Sequence, residues 1–304
     1  MAEHPELRWV SNPEVHGHHR LGAEAHVLEM LGKNDYARVV YPVTAPHASP
    51  EDPVVDYTPH YSILAEVPYR VADMYGQETR DGSFKYIVIL REPVARTISS
   101  WQFKYDLSGI ERGDPDSPSS ERRSLKEAYE EGAGRVKALM DCLSTKLDPS
   151  KISAPQWLKM KRVVDVHTCN PRRFLEHNEY FSHVGKSVYH LQLERWIDLF
   201  RLENVKVLFL EEMAANPVET LSSVFDFLGM SFLDEAEGKK GLRSRDEWQR
   251  IVERTHNLTN LKKKELLDEQ VTPEIVESMR SFFAPHNRML QEQLGRPLPD
   301  NWST

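Results

Sequence analysis

The stretch Lys85-Tyr86-Ile87-Val88-Ile89-Leu90-Arg91-Glu92-Pro93-Val94-Ala95-Arg96-Thr97-Ile98-Ser99-Ser100-Trp101 decides the fold. Its first six residues form a nearly unbroken apolar run, short, β-branched and aromatic. Such a run reads as a strand buried on both faces, as in a parallel sheet. Pro93 suits the first turn of a helix, and Val94, Ile98, Trp101 and Tyr105 continue one helical face. Arg91 therefore closes a strand where a helix begins, the place at which open α/β sheets bind ligands. Its guanidinium is a planar fork of donors suited to a phosphate dianion. Ser99 lies about two helical turns further on and adds a hydroxyl if the strand end folds back beside it. A lone arginine would read as a surface charge. An arginine ending a buried strand, followed by proline and a downstream serine, favours phosphate.

Upstream, Ile63, Val67, Val71 and Met74 have helical spacing, with Gly76 placed as a stop and Pro68 predicting a kink or a late start. Residues 1–60 carry little periodicity: a short helix at Ala23–Leu31, a short strand at Tyr36–Tyr41 and a proline-rich loop at 42–53. Downstream, Asp114–Arg123 reads as a surface loop. The stretch 106–180 reads as a variable helical or loop insertion without evident chemistry. Tyr189, Leu193, Trp196, Ile197 and Phe200 predict an amphipathic helix, and Val205–Leu210 a second buried strand. Asn216 and Pro217 open another helix, which Gly229 ends. A last helix opens at Thr272-Pro273 and is interrupted at Pro285. Strand and helix alternate as in a parallel α/β sheet flanked by helices. We read residues 1–304 as one domain.

Composition narrows the function classes. A net charge of −8 argues against a nucleic-acid partner. No apolar run reaches membrane-span length, and the first residues lack a signal-peptide pattern. Two cysteines, Cys142 and Cys169, are too few for a disulfide framework, and their pairing stays open. Thirteen histidines include no metal-ligand spacing, and His16-Gly17-His18-His19 reads as a solvated loop. No metal is implied.

The pattern Arg-x-Pro-x-x-Arg-x-x-Ser-x-Trp over Arg91–Trp101 resembles the second donor-binding motif of sulfotransferases that use 3′-phosphoadenosine 5′-phosphosulfate (PAPS). The likeness is to the branch of heparan sulfate N-sulfotransferases, carbohydrate sulfotransferases and bacterial relatives. It implies a P-loop-NTPase-like fold in which Arg91 and Ser99 hold the 3′-phosphate of PAPS, with Arg96 structural. Asp56-Tyr57-Thr58-Pro59-His60-Tyr61 is similar to the family's acidic segment and makes Asp56 a catalytic base. The same Asp56 reads equally as a helix cap. Tyr189-His190-Leu191-Gln192-Leu193-Glu194-Arg195-Trp196 resembles the family's Tyr-x-x-x-Leu-x-x-Trp helix. There Ser187 and Tyr189 either face an acceptor or, for Tyr189, pack. Lys262, Lys263 and Lys264 match a basic loop over the 3′-phosphate or form a solvated charge run, and Lys239-Lys240 is a weaker alternative.

The resemblance spans roughly residues 40–302. A first strand and a Pro-Lys-x-Gly-Thr-Thr loop, which in the family cradles the 5′-phosphosulfate, do not occur in the sequence. That strand would lie inside the sheet and leave backbone donors unpaired. The expectation is a chain lacking a natural N-terminal piece, with a Golgi lumen location if that piece carries an anchor. The resemblance implies sulfuryl transfer from PAPS to a hydroxyl or amine of a glycan or small-molecule acceptor. The alternative is a non-catalytic relative that binds adenosine 3′,5′-bisphosphate or a protein partner.

Overall fold

The computed structural model describes residues 8–9, 54–55, 61–107, 121–147, 161–169, 183–230, 245–256 and 269–302. The expectations for residues 10–53, Lys239-Lys240, Asp56 and Lys262 to Lys264 lie outside these residues. Strands β1 (Arg8–Trp9) and β2 (Val54–Val55) form a short parallel pair. Strands β3 (Tyr86–Leu90) and β4 (Val205–Phe209) form a second one, in register from Tyr86↔Val205 to Leu90↔Phe209. Around them lie α1 (Glu66–Tyr75), α2 (Pro93–Leu107), α3 (Leu125–Lys146), α4 (Tyr189–Phe200), α5 (Leu210–Ala215), α6 (Pro217–Leu228), α7 (Arg245–His256) and α8 (Pro273–Leu294). The architecture is α/β, with a parallel sheet flanked by helices.

Local chemistry accounts for most boundaries. Helix α1 starts late, so that Pro68 falls in its first turn, where its missing N–H costs nothing. Gly76 ends it at φ 58°, a conformation that side chains resist. Ser124 and Glu127 form a reciprocal capping box at the start of α3. Pro217 opens α6, and Gly229 closes it in the left-handed conformation. Thr272 caps α8 through the amide of Ile275.

Two apolar clusters hold the fold. The first joins α1, β3, β4, α4 and the end of α8, with Trp196 stacked on Tyr86 at 3.9 Å between ring centroids. The second joins α2, α3, the 184–188 turn and the start of α8 around Trp101, Met279 and Phe283. A disulfide between Cys142 and Cys169 ties the end of α3 to the π-helical turn Val163–Thr168. Just before that turn, Lys161 is buried and ion-paired to Asp198 and Glu194 of α4.

Four expectations need correction. First, β3 is not buried on both faces. Tyr86, Val88 and Leu90 alternate into the core, but Ile89 points the other way and is 52% exposed. Leu208, its partner on β4, is buried. Second, the strand expected over Val205–Leu210 ends at Phe209, and Leu210 opens α5. Third, α8 is not interrupted at Pro285 but runs through it to Leu294. Phe283, Leu290 and Leu294 are buried on both sides of the proline, and this packing outweighs one lost backbone bond. Fourth, the described end of the Asp114–Arg123 loop is not wholly at the surface: Arg122 is exposed, but the Glu121 side chain turns inward and is buried.

Candidate functional site

The corner at the carboxyl end of β3 is built by Glu92. Its side chain accepts hydrogen bonds from the amides of Val94 at 2.9 Å and Ala95 at 2.6 Å. Its own amide donates to Glu211 Oε1 at 2.8 Å. The first contact caps α2; the second joins the carboxyl ends of β3 and β4. A helix N-terminus can bind anions through its amides, but Glu92 already occupies those of α2. An anion here must therefore be met by side chains.

Arg91 is half-buried directly after β3, and Ser99 is exposed on α2, about 9 Å along the helix axis from Pro93. Tyr189 donates its phenolic hydrogen bond to the Arg91 carbonyl at 2.7 Å. This fixes the backbone from which the Arg91 guanidinium extends. Tyr189 is itself buried, and burial pushes its phenol well above the usual range. Tyr189 thus packs rather than facing an acceptor. Ser187 likewise faces inward: it is buried and shares a 2.9 Å hydrogen bond with Thr97. Neither side chain is available to an acceptor.

Arg96 lies between α2 and the turn before α4. It donates to the His183 carbonyl at 3.2 Å and to Ser187 Oγ at 3.4 Å, which suits a structural role. Burial lowers its affinity for a proton, and Arg91 adds a like charge. Next along the turn, Lys186 is pushed down to about 7 by burial, then by Arg96 and Lys104. Arg91 thus acts electrostatically on Arg96, and Arg96 and Lys104 on Lys186.

A polar chain that the sequence reading did not anticipate backs the corner. Ser100 Oγ is 2.9 Å from His183 Nδ1, and His183 Nε2 is 3.0 Å from Glu121 Oε2. Arg123 holds the same carboxylate through Nε at 2.9 Å and Nη2 at 2.6 Å. Burial would raise the Glu121 carboxyl, but hydrogen bonds from His183 and Arg123 outweigh it and keep it well below the usual range. Burial also keeps His183 below its ordinary value despite that carboxylate. An ionised Glu121 accepts from Nε2–H, leaving Nδ1 to accept from the Ser100 hydroxyl. No sequence signal marks this chain, since its partners are 62 and 83 positions apart.

Among the described residues no group of three or more His, Cys, Asp or Glu is arranged to hold a metal ion. No helix among them is long and apolar enough to cross a membrane.

The sequence model of a family described as the sulfotransferase domain matches residues 64–286. Heparan sulfate glucosamine 3-O-sulfotransferase 5 of Mus musculus is 23% identical over 278 residues, covering 88% of this chain and 62% of that protein. Its Homo sapiens counterpart is 23% identical over 265 residues, covering 84% and 58%. The membrane-associated sulfotransferase kil1 of Dictyostelium discoideum is 25% identical over 187 residues, covering 51% and 39%. The chain thus spans about 60% of the length of the two heparan sulfate relatives. Among solved structures, a sulfotransferase from Alicyclobacillus acidocaldarius superposes with a TM-score of 0.53 at 18% identity, covering 99% of this chain and 90% of that one. At that identity the likeness concerns the fold.

Proposed function

The chain belongs to the sulfotransferase domain family, and from that membership we propose that it transfers a sulfuryl group from PAPS to a carbohydrate hydroxyl or amine. The observation that supports the reading is the β3–α2 corner, where half-buried Arg91 directly follows the strand and exposed Ser99 lies on the helix whose first amides Glu92 caps. A donor set of arginine, lysine and hydroxyl fits a phosphate dianion. The heparan sulfate relatives favour a glycan acceptor.

Arg91 and Ser99 would hold the 3′-phosphate, and Lys262 to Lys264 would close over it. Asp56 would take the proton as the acceptor oxygen or nitrogen bonds to sulfur. The bond from sulfur to the 5′-phosphate oxygen breaks in the same step, and adenosine 3′,5′-bisphosphate leaves with the electron pair. Positioning and charge stabilisation carry such a transfer. Residues 1–304 would act as one domain, with 106–180 as its variable part.

A second reading, nucleotide binding without transfer, is favoured by one observation: the 304 residues contain no Pro-Lys-x-Gly-Thr-Thr loop. One experiment separates the two. The chain is incubated with sulfur-labelled PAPS and a panel of heparosan, heparan sulfate and chondroitin. Labelled glycan that disappears in Arg91→Ala supports transfer. Saturable binding of adenosine 3′,5′-bisphosphate without labelled product supports the second reading. Absence of both sinks the donor-site assignment.

A further inference from the structure

Strand β4 pairs with β3 along one edge, and among the described residues no strand pairs with its other edge. A cavity of about 360 Å³ borders β4, with Val205, Lys206, Val207 and Leu208 all in its wall. Successive strand residues point to opposite faces, so four in a row place the cavity along the strand edge. Arg296, just beyond α8, donates to the Val207 carbonyl there at 2.9 Å. Arg296 also lines the cavity, as do Thr220 and Ser223 of α6 and Glu212 of α5. We propose that this cavity is a second ligand site, which takes an acidic sugar unit with its carboxylate or sulfate between Lys206 and Arg296 and its hydroxyls on Thr220 and Ser223.

The polar groups of the cavity divide by role. Lys206 Nζ has no hydrogen bond or ion pair among the described residues and lies 5.9 Å from the centre of the Phe227 ring. Arg296 uses Nη2 on Val207 and pairs with the exposed Glu212 at 3.5 Å. Both cations keep donors for an anion. Burial and then the like charge of Arg296 disfavour the Lys206 ammonium, with Asp226 acting the other way. An anion between the two cations relieves that repulsion. The hydroxyls are set the opposite way. Thr220 donates to the Asn216 carbonyl and Ser223 to the Thr220 carbonyl, each at 2.8 Å, so their lone pairs remain for a ligand's hydroxyls. Leu202, Val205 and Leu294 add an apolar wall for a ring face. A bare anion uses the cations alone, whereas a sugar acid or sulfated sugar uses all three. Glu212 follows Glu211, whose carboxylate accepts the Glu92 amide at the β3–α2 corner. The cavity thus reaches the carboxyl end of β4 and would hold a unit of the acceptor other than the one that reacts. That role rests on the transfer reading above; the binding itself does not.

The test is a titration of the full chain, followed by amide proton–nitrogen spectra, with glucuronate and with glucose 6-sulfate. Glucose and acetate serve as controls. Both acidic sugars should give saturable shifts at the Val205–Leu208 and Ser223 amides. Glucose lacks the anion and acetate lacks the hydroxyls, so each should bind about tenfold more weakly or worse. Lys206→Met should weaken the acidic sugars about tenfold, as expected for loss of a charge-assisted contact. Lys206→Arg should restore most of the affinity, a rescue that separates lost charge from lost fold. Arg91→Ala should leave the shifts in place. Absence of saturable shifts, unchanged affinity in Lys206→Met, or loss of the shifts in Arg91→Ala overturns the site. Acetate bound as tightly as glucuronate overturns the sugar assignment. With heparosan and labelled PAPS, Lys206→Met should raise KM and spare kcat; an unchanged KM overturns the acceptor role and leaves the binding site standing. Lys206-dependent sugar binding without any transfer keeps the site and sinks the transfer reading.

Discussion

Tyr189 and Arg91, 98 positions apart in the chain, are joined by a 2.7 Å hydrogen bond from the phenol of the first to the carbonyl of the second. The bond links the start of α4 to the end of β3, and so connects the helix that packs the core to the residue assigned to phosphate. Tyr189→Phe keeps the buried ring and removes only this bond. Urea denaturation should show a loss of about 1 kcal/mol, and nucleotide affinity should fall severalfold as the Arg91 backbone loosens. Unchanged affinity would uncouple the two elements.

Arg91 is expected to act through its planar fork. Arg91→Lys keeps the charge but loses the paired donors, so affinity for adenosine 3′,5′-bisphosphate should drop about tenfold or more. Ser99→Ala should have the smaller effect of one neutral donor. Calorimetry on the three proteins gives the order directly, and equal affinities for lysine and arginine would count against a bidentate contact.

His190 and His286 meet between α4 and α8, with Nε2 and Nδ1 2.9 Å apart and the rings nearly parallel. Burial lowers both, and pushes His190 down to about 3 with help from His286 and Arg195. The unfolded chain binds these protons near pH 6.5 and the folded one only further down. The pair's contribution is thus present above about pH 6.5 and is lost as pH falls toward the folded values, at about 1.4 kcal/mol per pH unit for each histidine. His183, also lowered by burial, adds to the same slope. Stability measured by urea between pH 5 and 8 should fall on acidification. The double variant His190→Leu, His286→Phe should be flatter over that range, and an equal slope would remove the pair from the account.

Glu121 has the opposite partner chemistry and a lower window. Its carboxyl is held well below the usual range by His183 and Arg123, so its contribution is present above about pH 4.3 and lost as pH falls further. Glu121→Gln leaves His183 and Arg123 without their anion at every pH. A cost of about 2 kcal/mol at pH 7 is expected, discounted because Arg123 is 41% exposed. Below about pH 4 the gap between variant and wild type should shrink.

The Cys142–Cys169 bond spans 27 positions. By loop entropy such a link is worth about 3.5 kcal/mol. Cys142→Ser with Cys169→Ser, or dithiothreitol on the wild type, should lower stability by that order. If both leave the urea midpoint unchanged, the bond is not formed in solution.

Strands β3 and β4 and most helices were legible because their signals are local, whereas the two-residue strands β1 and β2 were not. The apolar run at Lys85–Leu90, the Pro93 start, the Asn216-Pro217 opening and the Gly229 stop each lie within a few residues of the boundary they set. Packing overrode locality at Pro285, where buried residues on both sides carry the helix through. It did so again at Ile89, which belongs to an apolar run yet points away from the core. Arg91 and Ser99 were legible as a motif within nine residues. The Ser100–His183–Glu121 chain and the disulfide partner were not. Their members come from segments that only the fold brings together, and a histidine in isolation carries no sign of its neighbours.

The pairing of β3 with β4 has a consequence for how quickly the chain becomes competent. Contacts across it join residues 119 apart, as in Lys85 to Asn204 and Glu92 to Glu211. Ordering so long an intervening segment must precede the reward of strand contact, and such non-local topology slows folding. Helices with local signals can form in microseconds or less, whereas the corner that joins Arg91 to Tyr189 waits for the two halves to meet. In a refolding experiment, ligand-binding capacity should therefore emerge after most of the helical signal has returned.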